Sequence, residues 1–216
     1  MTIKAALFDL DGVVFDTESQ YSIFWGMIGK EYHPDIPDFS KRIKGQTLVQ
    51  IYNQYFDHVR DEQPLITARL DKFECDMEYN YIEGFEDFVK DLRSHGVKTA
   101  VVTSSNVQKM LNVYARHPEF QGYFDRVMTS EDFTESKPHP DCYLKGAAYF
   151  DALPTECVGF EDSFNGLKAV RAAGEFTVGL ATTNSREAIA PYSDYVLDHY
   201  KGFKYGDLVK IVALSR

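Results

Sequence analysis

The sequence predicts an α/β fold in which a doubly wound, Rossmann-like parallel sheet carries an inserted helical segment. Three observations lead to this prediction. Short apolar runs recur along the chain, and each has the length of a strand that is buried on both faces. Segments with helical spacing of apolar residues separate these runs. One stretch near the N-terminus, residues 17–81, has no convincing strand pattern and is rich in aromatic and charged residues.

Six apolar runs are interpreted as strands of one sheet. They lie at Ala5–Phe8, 97–103, Arg126–Met128, 157–160, 177–180 and Tyr195–Leu197. The first run stops at an aspartate and the fourth at two adjacent acidic residues, so charged side chains follow directly where these strands end. In a doubly wound parallel sheet, ligands bind at the carboxyl ends of the strands.

Helical stripes of apolar residues separate the later strands. The stripes are Phe85, Phe88, Val89 and Leu92; Val107, Met110, Leu111 and Tyr114; Tyr143, Leu144 and Ala147; and Leu167, Val170 and Ala173. The second stripe follows Asn106, which is a good N-cap residue. Pro140 is expected at the first position of the third helix. Gly96 and Gly174 are expected to end the first and fourth helices.

The strand-free stretch interrupts the alternation of strands and helices. Ile51, Tyr55 and Val59 follow a helical spacing there, and no segment shows a convincing strand pattern. We interpret residues 17–81 as a helical cap over the strand ends, and residues 1–16 and 82–216 as the α/β core. The alternative is a set of ordinary crossover helices between two strands.

Composition limits the classes of protein that this chain can represent. Hydrophobic residues make up 44% of the 216 residues and charged residues 26%, which is typical of a globular protein. The net charge of −10 argues against nucleic acid or an anionic membrane as a partner. No run approaches the ~18 apolar residues of a membrane span. The three cysteines lack metal-site spacing, so we expect reduced thiols in a cytoplasmic protein. Nothing in the sequence requires an oligomer, and we expect a monomer.

Polar residues that could take part in catalysis or ligand binding follow several of the predicted strands. They are Asp9 and Asp11; Thr103 and Ser104; Lys137; and Glu161 and Asp162. Taken singly, each has an ordinary interpretation as an acidic turn, a helix cap or a solvated lysine. Because the carboxyl ends of parallel strands meet at one edge of a sheet, we expect these residues to form one site. Free N–H groups at a helix start would make an anion site there.

These residues resemble the haloacid dehalogenase superfamily, in the branch close to β-phosphoglucomutase and the sugar-phosphate phosphatases. The matching motifs are Asp9-Leu10-Asp11-Gly12-Val13, Thr103, Lys137-Pro138-His139-Pro140-Asp141 and Gly159-Phe160-Glu161-Asp162-Ser163. The resemblance covers nearly the whole chain, including a helical insertion just after the first strand. It implies a phosphatase that acts on small phosphorylated metabolites, with sugar phosphates the main expectation.

The resemblance also implies roles for the acidic residues. Asp9 would be the nucleophile that forms an aspartyl-phosphate, and Asp11 the general acid and base. Mg²⁺ would be bound by Asp9, the backbone carbonyl of Asp11 and the side chain of Asp162. Glu161 would either bind the metal directly or contact the metal ligands without binding the metal. Because dehalogenases lack an acid at the second position, Asp11 argues against dehalogenation.

Three residues are expected to bind the phosphoryl group, on the same resemblance. Thr103 and the backbone N–H of Ser104 would hold the oxygens that do not react. Lys137 would balance the negative charge that the phosphoryl group shares with the nucleophile.

Two other functions stay open on the sequence. A mutase of the β-phosphoglucomutase type must hold a second phosphate, and Tyr21 and Leu48 occupy the places where those enzymes carry His and Arg. Arg42 and Lys44 could substitute for these residues. Lys44 lies in a predicted cap loop that would select the leaving group, or in a simple turn. The remaining alternative is a noncatalytic binding protein on this fold.

Overall fold

The computed structural model describes residues 3–215, and the centre of this part of the chain is a single parallel sheet. Its six strands, β1–β6, are Ala5–Phe8, Lys98–Val102, Arg126–Met128, Cys157–Glu161, Phe176–Leu180 and Tyr195–Leu197. Their order in the sheet is β3-β2-β1-β4-β5-β6, and every neighbouring pair is parallel. All six predicted strands are confirmed, with ends that differ by no more than one residue.

Helices cover both faces of this sheet. Within residues 3–215 the α-helices α1–α10 are Glu18–Tyr32, Phe39–Arg42, Leu48–Tyr55, Gln63–Asp76, Phe85–Ser94, Val107–Arg116, Asp141–Tyr149, Phe164–Ala173, Arg186–Ile189 and Tyr205–Leu214. In β1, Ala6 and Phe8 belong to the core on one face, whereas Ala5 and Leu7 belong to the core on the other. Alternating burial on two faces confirms the predicted doubly wound fold. None of the described helices is both long and apolar enough to span a bilayer.

Strand β1 lies at the centre of the sheet, and this position determines which residues meet. Phe8 is in register with Val101 of β2 on one side and with Phe160 of β4 on the other. The backbone N–H of Asp9 continues the pairing and donates to the carbonyl of Phe160 at 3.0 Å. The residues that follow β1, β2 and β4 are therefore brought to the same edge.

Residues 17–81 contain α1–α4, a 3₁₀ segment at Asp57–Glu62, and an apolar cluster of their own. The chain enters and leaves this segment side by side, because Phe15 forms a β-bridge with Tyr81. The N–H of Ile82 also donates to the carbonyl of Val14 at 2.9 Å. This arrangement supports our proposal that residues 17–81 are a cap on a core of residues 1–16 and 82–216.

The buried face of α6 differs from the predicted stripe. Val107 and Leu111 are 49% and 53% exposed, whereas Lys109, Met110 and Val113 are buried. The helix itself is confirmed, but it is rotated so that a lysine takes a place that we had given to apolar residues. The buried lysine forms an ion pair, which is described below.

Three smaller predictions also need correction. Helix α3 ends at Tyr55, and Val59 has φ −131° and ψ 44°, so the stripe that we extended to Val59 is not one helix. Pro140 is the residue before α7 rather than its first helical residue. Gly174 is the C-cap of α8, with φ 81°, as expected. The C-cap of α5 is His95, and Gly96, with φ 78°, follows it.

Candidate active site

A cavity of about 640 Å³ opens where the sheet edge faces residues 17–81. Every residue that we predicted for the site lines this cavity, except Glu161 and Arg42. Arg42, which we considered for a second phosphate, is exposed. The lining members are Asp9, Asp11, Thr103, Ser104, Lys137, Asp162 and Lys44. Glu161 is fully buried and is hydrogen bonded to the lining residue Lys137. The structure therefore brings together the residues that we predicted for catalysis, for the phosphoryl group and for the metal.

Asp9 lies directly after β1 and is almost buried. Its Oδ1 accepts a hydrogen bond of 2.6 Å from Nζ of Lys137. Burial raises the pKa of Asp9 to about 7, and the charges of Glu161 and Asp11 act in the same direction, while Lys137 lowers it. Both Asp9 and Glu161 contact Lys137, so these two carboxylates carry more negative charge than this lysine neutralises.

Lys137 is buried, so the interpretation of this residue as a solvated surface lysine is wrong. Its ammonium donates to Asp9, to Oε1 of Glu161 at 2.6 Å and to the carbonyl of Val102 at 3.0 Å. Burial lowers the pKa of Lys137, but the two carboxylates outweigh this effect and raise it. Lys137 is therefore a fixed positive charge beside Asp9.

Both oxygens of Glu161 are occupied by donors from the protein. Oε1 accepts from Lys137 and, at 2.9 Å, from the hydroxyl of Tyr143. Oε2 accepts from the N–H of Asp162 at 3.1 Å and from the hydroxyl of Ser163 at 3.2 Å. Our sequence analysis treated Tyr143 only as a member of a helical stripe, and nothing in the one-dimensional pattern marked its hydroxyl.

Asp9, Glu161 and Asp162 form a cluster that fits a metal ion. Each offers a carboxylate oxygen, and these oxygens lie within 4.8 Å of one another. Burial raises the pKa of Asp162, and the charges of Glu18, Glu161 and Asp9 raise it further. A donor set made only of oxygens suits a hard cation such as Mg²⁺. A bound cation would also relieve the excess of negative charge.

Gly12 makes the close approach between the first loop and Asp162 possible. Its φ is 74°, a conformation that side chains disfavour, and a Cβ there would lie 2.2 Å from Oδ2 of Asp162. The glycine of the D-x-D-G motif is thus required both by backbone conformation and by space.

Asp11 is held by three side-chain donors. Thr17 and Lys109 donate to Oδ1, the latter at 2.6 Å, and Ser105 donates to Oδ2 at 3.1 Å. Lys109 is 1% exposed, and its ammonium lies 4.6 Å from the ring centroid of Tyr21. Sequence analysis missed Lys109, although its spacing of four from Val113 places it on the buried face of α6.

Thr103 and Ser104 lie between β2 and α6, as predicted. Thr103 is buried, and its Oγ1 accepts from the N–H of Ser105 at 3.0 Å. The side chain of Asn106 caps α6 by accepting from the N–H of Lys109 at 2.9 Å. The start of a helix therefore faces the cavity beside Asp9, which is a suitable place for an anion.

Lys44 lines the cavity from the segment of residues 17–81. Its Nζ lies 2.8 Å from Oε2 of Glu18, and both residues line the cavity. Burial raises the pKa of Glu18, while Lys44 lowers it. Gly45 has φ 73°, and a Cβ there would lie 2.7 Å from Oγ of Ser163, so the loop is pressed against the sheet edge.

Comparisons with known proteins agree with this fold. The family described as haloacid dehalogenase-like hydrolase matches residues 3–174. A β-phosphoglucomutase of Bacillus subtilis (strain 168) is 29% identical over 201 residues, which are 82% of this chain and 83% of that protein. A phosphorylated carbohydrates phosphatase of Thermotoga maritima is 25% identical over 186 residues, which are 80% of this chain and 82% of that protein.

Solved structures with the same fold include two proteins that align over nearly the whole chain. The crystal structure of a β-phosphoglucomutase from Clostridium difficile has a TM-score of 0.83 at 22% identity, covering 99% of this chain and 98% of that one. CbbY from Rhodobacter sphaeroides, in complex with phosphate, has a TM-score of 0.78 at 21% identity, covering 96% and 100%. At these identities the likeness shows the fold alone.

Proposed function

Because the chain belongs to the haloacid dehalogenase-like hydrolase family, we propose that it is a phosphatase for small phosphorylated metabolites. The observation that carries this proposal is the position of Asp9, which lines the cavity beside Lys137 and close to Asp162. Two relatives are named as a β-phosphoglucomutase and a phosphorylated carbohydrates phosphatase, which supports sugar phosphates as the substrate class.

The first half-reaction transfers the phosphoryl group to Asp9. A carboxylate oxygen of Asp9 attacks phosphorus, the bond from phosphorus to the leaving oxygen breaks, and Asp11 protonates that oxygen. Thr103 and the N–H of Ser104 hold the oxygens that do not react. Lys137, already within 2.6 Å of Asp9, offsets the charge that the two groups share.

The second half-reaction releases inorganic phosphate. Asp11, now a carboxylate, takes a proton from water, and the resulting hydroxide attacks the phosphorus of the aspartyl-phosphate. The bond from phosphorus to the oxygen of Asp9 then breaks, which restores the free carboxylate. One carboxylate thus serves as the acid in the first half and as the base in the second.

Mg²⁺ would be held by Asp9, Asp162 and the backbone carbonyl of Asp11. When bound, it supplies positive charge that lets a carboxylate approach a phosphate dianion. We propose that Glu161 positions Lys137 rather than binding metal directly, because both its oxygens already accept hydrogen bonds from protein groups.

The mutase is the second candidate function, because the relative at 29% identity is named a β-phosphoglucomutase. In that case a sugar hydroxyl, rather than water, would take the phosphoryl group from Asp9. A noncatalytic role is disfavoured, since every position that the chemistry requires is filled. We further propose that the protein works as a cytoplasmic monomer without nucleic acid or membrane partners, in keeping with its net charge of −10.

The test is phosphate release from a panel of phosphorylated metabolites with Mg²⁺, using the wild type and Asp9→Asn. We expect the substitution to reduce turnover by orders of magnitude while the melting temperature stays close to that of the wild type. Asp16→Asn, an exposed aspartate in the same segment, is the matched control and should stay active. Normal turnover by Asp9→Asn would contradict the nucleophile.

A parallel reaction separates the two candidate functions. The protein is given β-glucose 1-phosphate together with glucose 1,6-bisphosphate, and both isomerised sugar phosphate and free phosphate are measured. We expect hydrolysis to be the faster reaction. Isomerisation that exceeds hydrolysis would favour the mutase instead.

A further inference from the structure

The cavity has few positive charges, and the carboxylates of the protein already pair with them. Two lysines are the only basic residues among the described residues that line it, Lys44 and Lys137. Lys137 contacts Asp9 and Glu161 at the phosphoryl end. Lys44, which residues 17–81 contribute, lies 2.8 Å from Glu18, and the two side chains are only 18% and 17% exposed.

The remaining wall contributed by residues 17–81 carries no further positive charge. This segment, which the structure describes throughout, provides one basic and two acidic lining residues, namely Lys44, Glu18 and Glu74. Glu74 is 6% exposed and accepts a hydrogen bond of 2.6 Å from the hydroxyl of Tyr21. The formal charge of this wall is therefore negative.

The neutral part of the same wall offers hydroxyl, amide and apolar groups. The hydroxyl of Ser22 already donates to the carbonyl of Glu18, and the side chains of Thr47 and Gln50 cap α3, but their oxygens can accept further hydrogen bonds from hydroxyl groups. Trp25 and Leu70 provide apolar contact. A polyhydroxylated leaving group finds partners on such a wall. A second phosphate would bring about 1.5 to 2 negative charges into a partly buried space that lacks a free cation, which is unfavourable.

We propose that Glu18 determines the substrate class by neutralising Lys44. The site then accepts monophosphate esters with an uncharged leaving group and discriminates against substrates that carry a second phosphate. This inference rests on the proposed phosphatase function and deepens it. It also disfavours the mutase, which must hold a bisphosphate.

The opposite behaviour would require Lys44 to leave Glu18 and bind the second phosphate. That exchange would leave the carboxylate of Glu18 without a partner, in a position where Asp11 and Asp162 add further negative charge. Removing one partner from a shielded ion pair is unfavourable, because the other charge is left without compensation. The two arrangements differ when Glu18 is made neutral. If Lys44 is paired with Glu18, the affinity for a bisphosphate should rise, whereas it should not rise if Lys44 already binds the second phosphate.

The test compares the binding of glucose 6-phosphate and glucose 1,6-bisphosphate. Their inhibition constants are measured against hydrolysis of p-nitrophenyl phosphate with Mg²⁺, and titration calorimetry in the Asp9→Asn background repeats the comparison without turnover. The wild type should bind the monophosphate more tightly. Glu18→Gln should shift the ratio of the two constants toward the bisphosphate by about tenfold, because Lys44 becomes free.

Two control variants complete the experiment. Glu31→Gln breaks an ion pair of similar length on the same helix, with Arg69, outside the cavity, and should leave the ratio unchanged. Glu18→Gln combined with Lys44→Met should lose the gain in bisphosphate affinity. A wild type that prefers the bisphosphate, or an unchanged ratio in Glu18→Gln, would overturn the inference. Absence of any phosphate release would instead contradict the proposed phosphatase, since the calorimetric ratio does not depend on turnover.

Discussion

The ammonium of Lys109 lies 2.6 Å from Oδ1 of Asp11, so an ion pair joins the helix after β2 to the loop after β1. Lys109 is 1% exposed and Asp11 15% exposed, which shields the pair from water. The same ammonium lies over the ring of Tyr21 in α1. Lys109, which the sequence analysis missed, thus contacts Asp11, the proposed general acid and base, and also Tyr21 in the segment of residues 17–81.

Lys109→Met should lower both stability and activity. Removing the partner of a shielded carboxylate is expected to cost about 3 kcal/mol in the free energy of unfolding. The turnover number should fall more than KM changes, because Asp11 loses a donor that orients it. Urea unfolding and steady-state kinetics measure the two effects. Lys41→Met, which breaks an exposed pair with Asp38, should change neither, and equal behaviour of the two variants would contradict the role of Lys109.

Tyr143→Phe should leave one hydrogen bond to buried Glu161 unmade. We expect the free energy of unfolding to fall by about 1–2 kcal/mol. Turnover should also decrease, because Oε1 of Glu161 accepts hydrogen bonds from both Tyr143 and Lys137. The matched control is Tyr149→Phe on the same helix, where the side chain is 53% exposed. If both variants have wild-type melting temperatures and turnover, the hydroxyl of Tyr143 does not hold Glu161.

Gly166→Ala should disturb the carboxylate of Glu161 by steric contact. An added Cβ would lie 1.9 Å from that carboxyl group, so the side chain or α8 must move. Overpacking of this kind is expected to cost about 1–3 kcal/mol, with a parallel loss of turnover. Gly26→Ala in α1, where a Cβ meets nothing within 4 Å, should instead stabilise the protein slightly. Thermal unfolding separates the two, and a stabilised Gly166→Ala would be inconsistent with the packing described.

Glu175 should make stability depend on pH. Both of its carboxylate oxygens are buried without a hydrogen-bond partner among the described residues, and burial raises the pKa of Glu175 well above its ordinary 4.5. The folded state therefore retains the proton more strongly than the unfolded chain. Its contribution to stability is fully present below about pH 4.5 and is lost as the pH rises through the raised pKa.

Glu175→Gln removes this dependence on pH. Its unfolding free energy should exceed that of the wild type at pH 8, and the difference should shrink toward pH 4.5. Exposed Glu187→Gln should follow the wild type over the whole range. Parallel curves for Glu175→Gln and the wild type from pH 4.5 to 8 would show that Glu175 is ionised in the folded protein.

The fold could be predicted from the sequence because parallel strands buried on both faces leave continuous apolar runs such as Ala5–Phe8. Once the strand order is that of a doubly wound sheet, the ends of β1, β2 and β4 must meet. Asp9, Thr103 and Asp162 could therefore be placed together without knowledge of any distance.

The contacts of Lys109 and Tyr143 could not be predicted in the same way. Both lie on helices, where the rotation about the helix axis decides which side chain reaches the site. The error at Val107 and Leu111 has the same origin, since apolar spacing alone does not show that Lys109, Met110 and Val113 form the buried face. Pairing of Lys44 with Glu18 likewise depends on how the loop after α2 folds back onto α1.

The β-bridge between Phe15 and Tyr81 has an evolutionary consequence. The chain departs from the core and returns to it at adjacent positions, so the geometry of the sheet does not depend on how many residues lie between them. The entropy of loop closure also changes only slowly with that number. Insertions and deletions within residues 17–81 can accumulate while Asp9 and Lys137 keep their places. Mutation can thus reshape the wall that we propose contacts the leaving group, independently of the residues that we propose act on the phosphate ester.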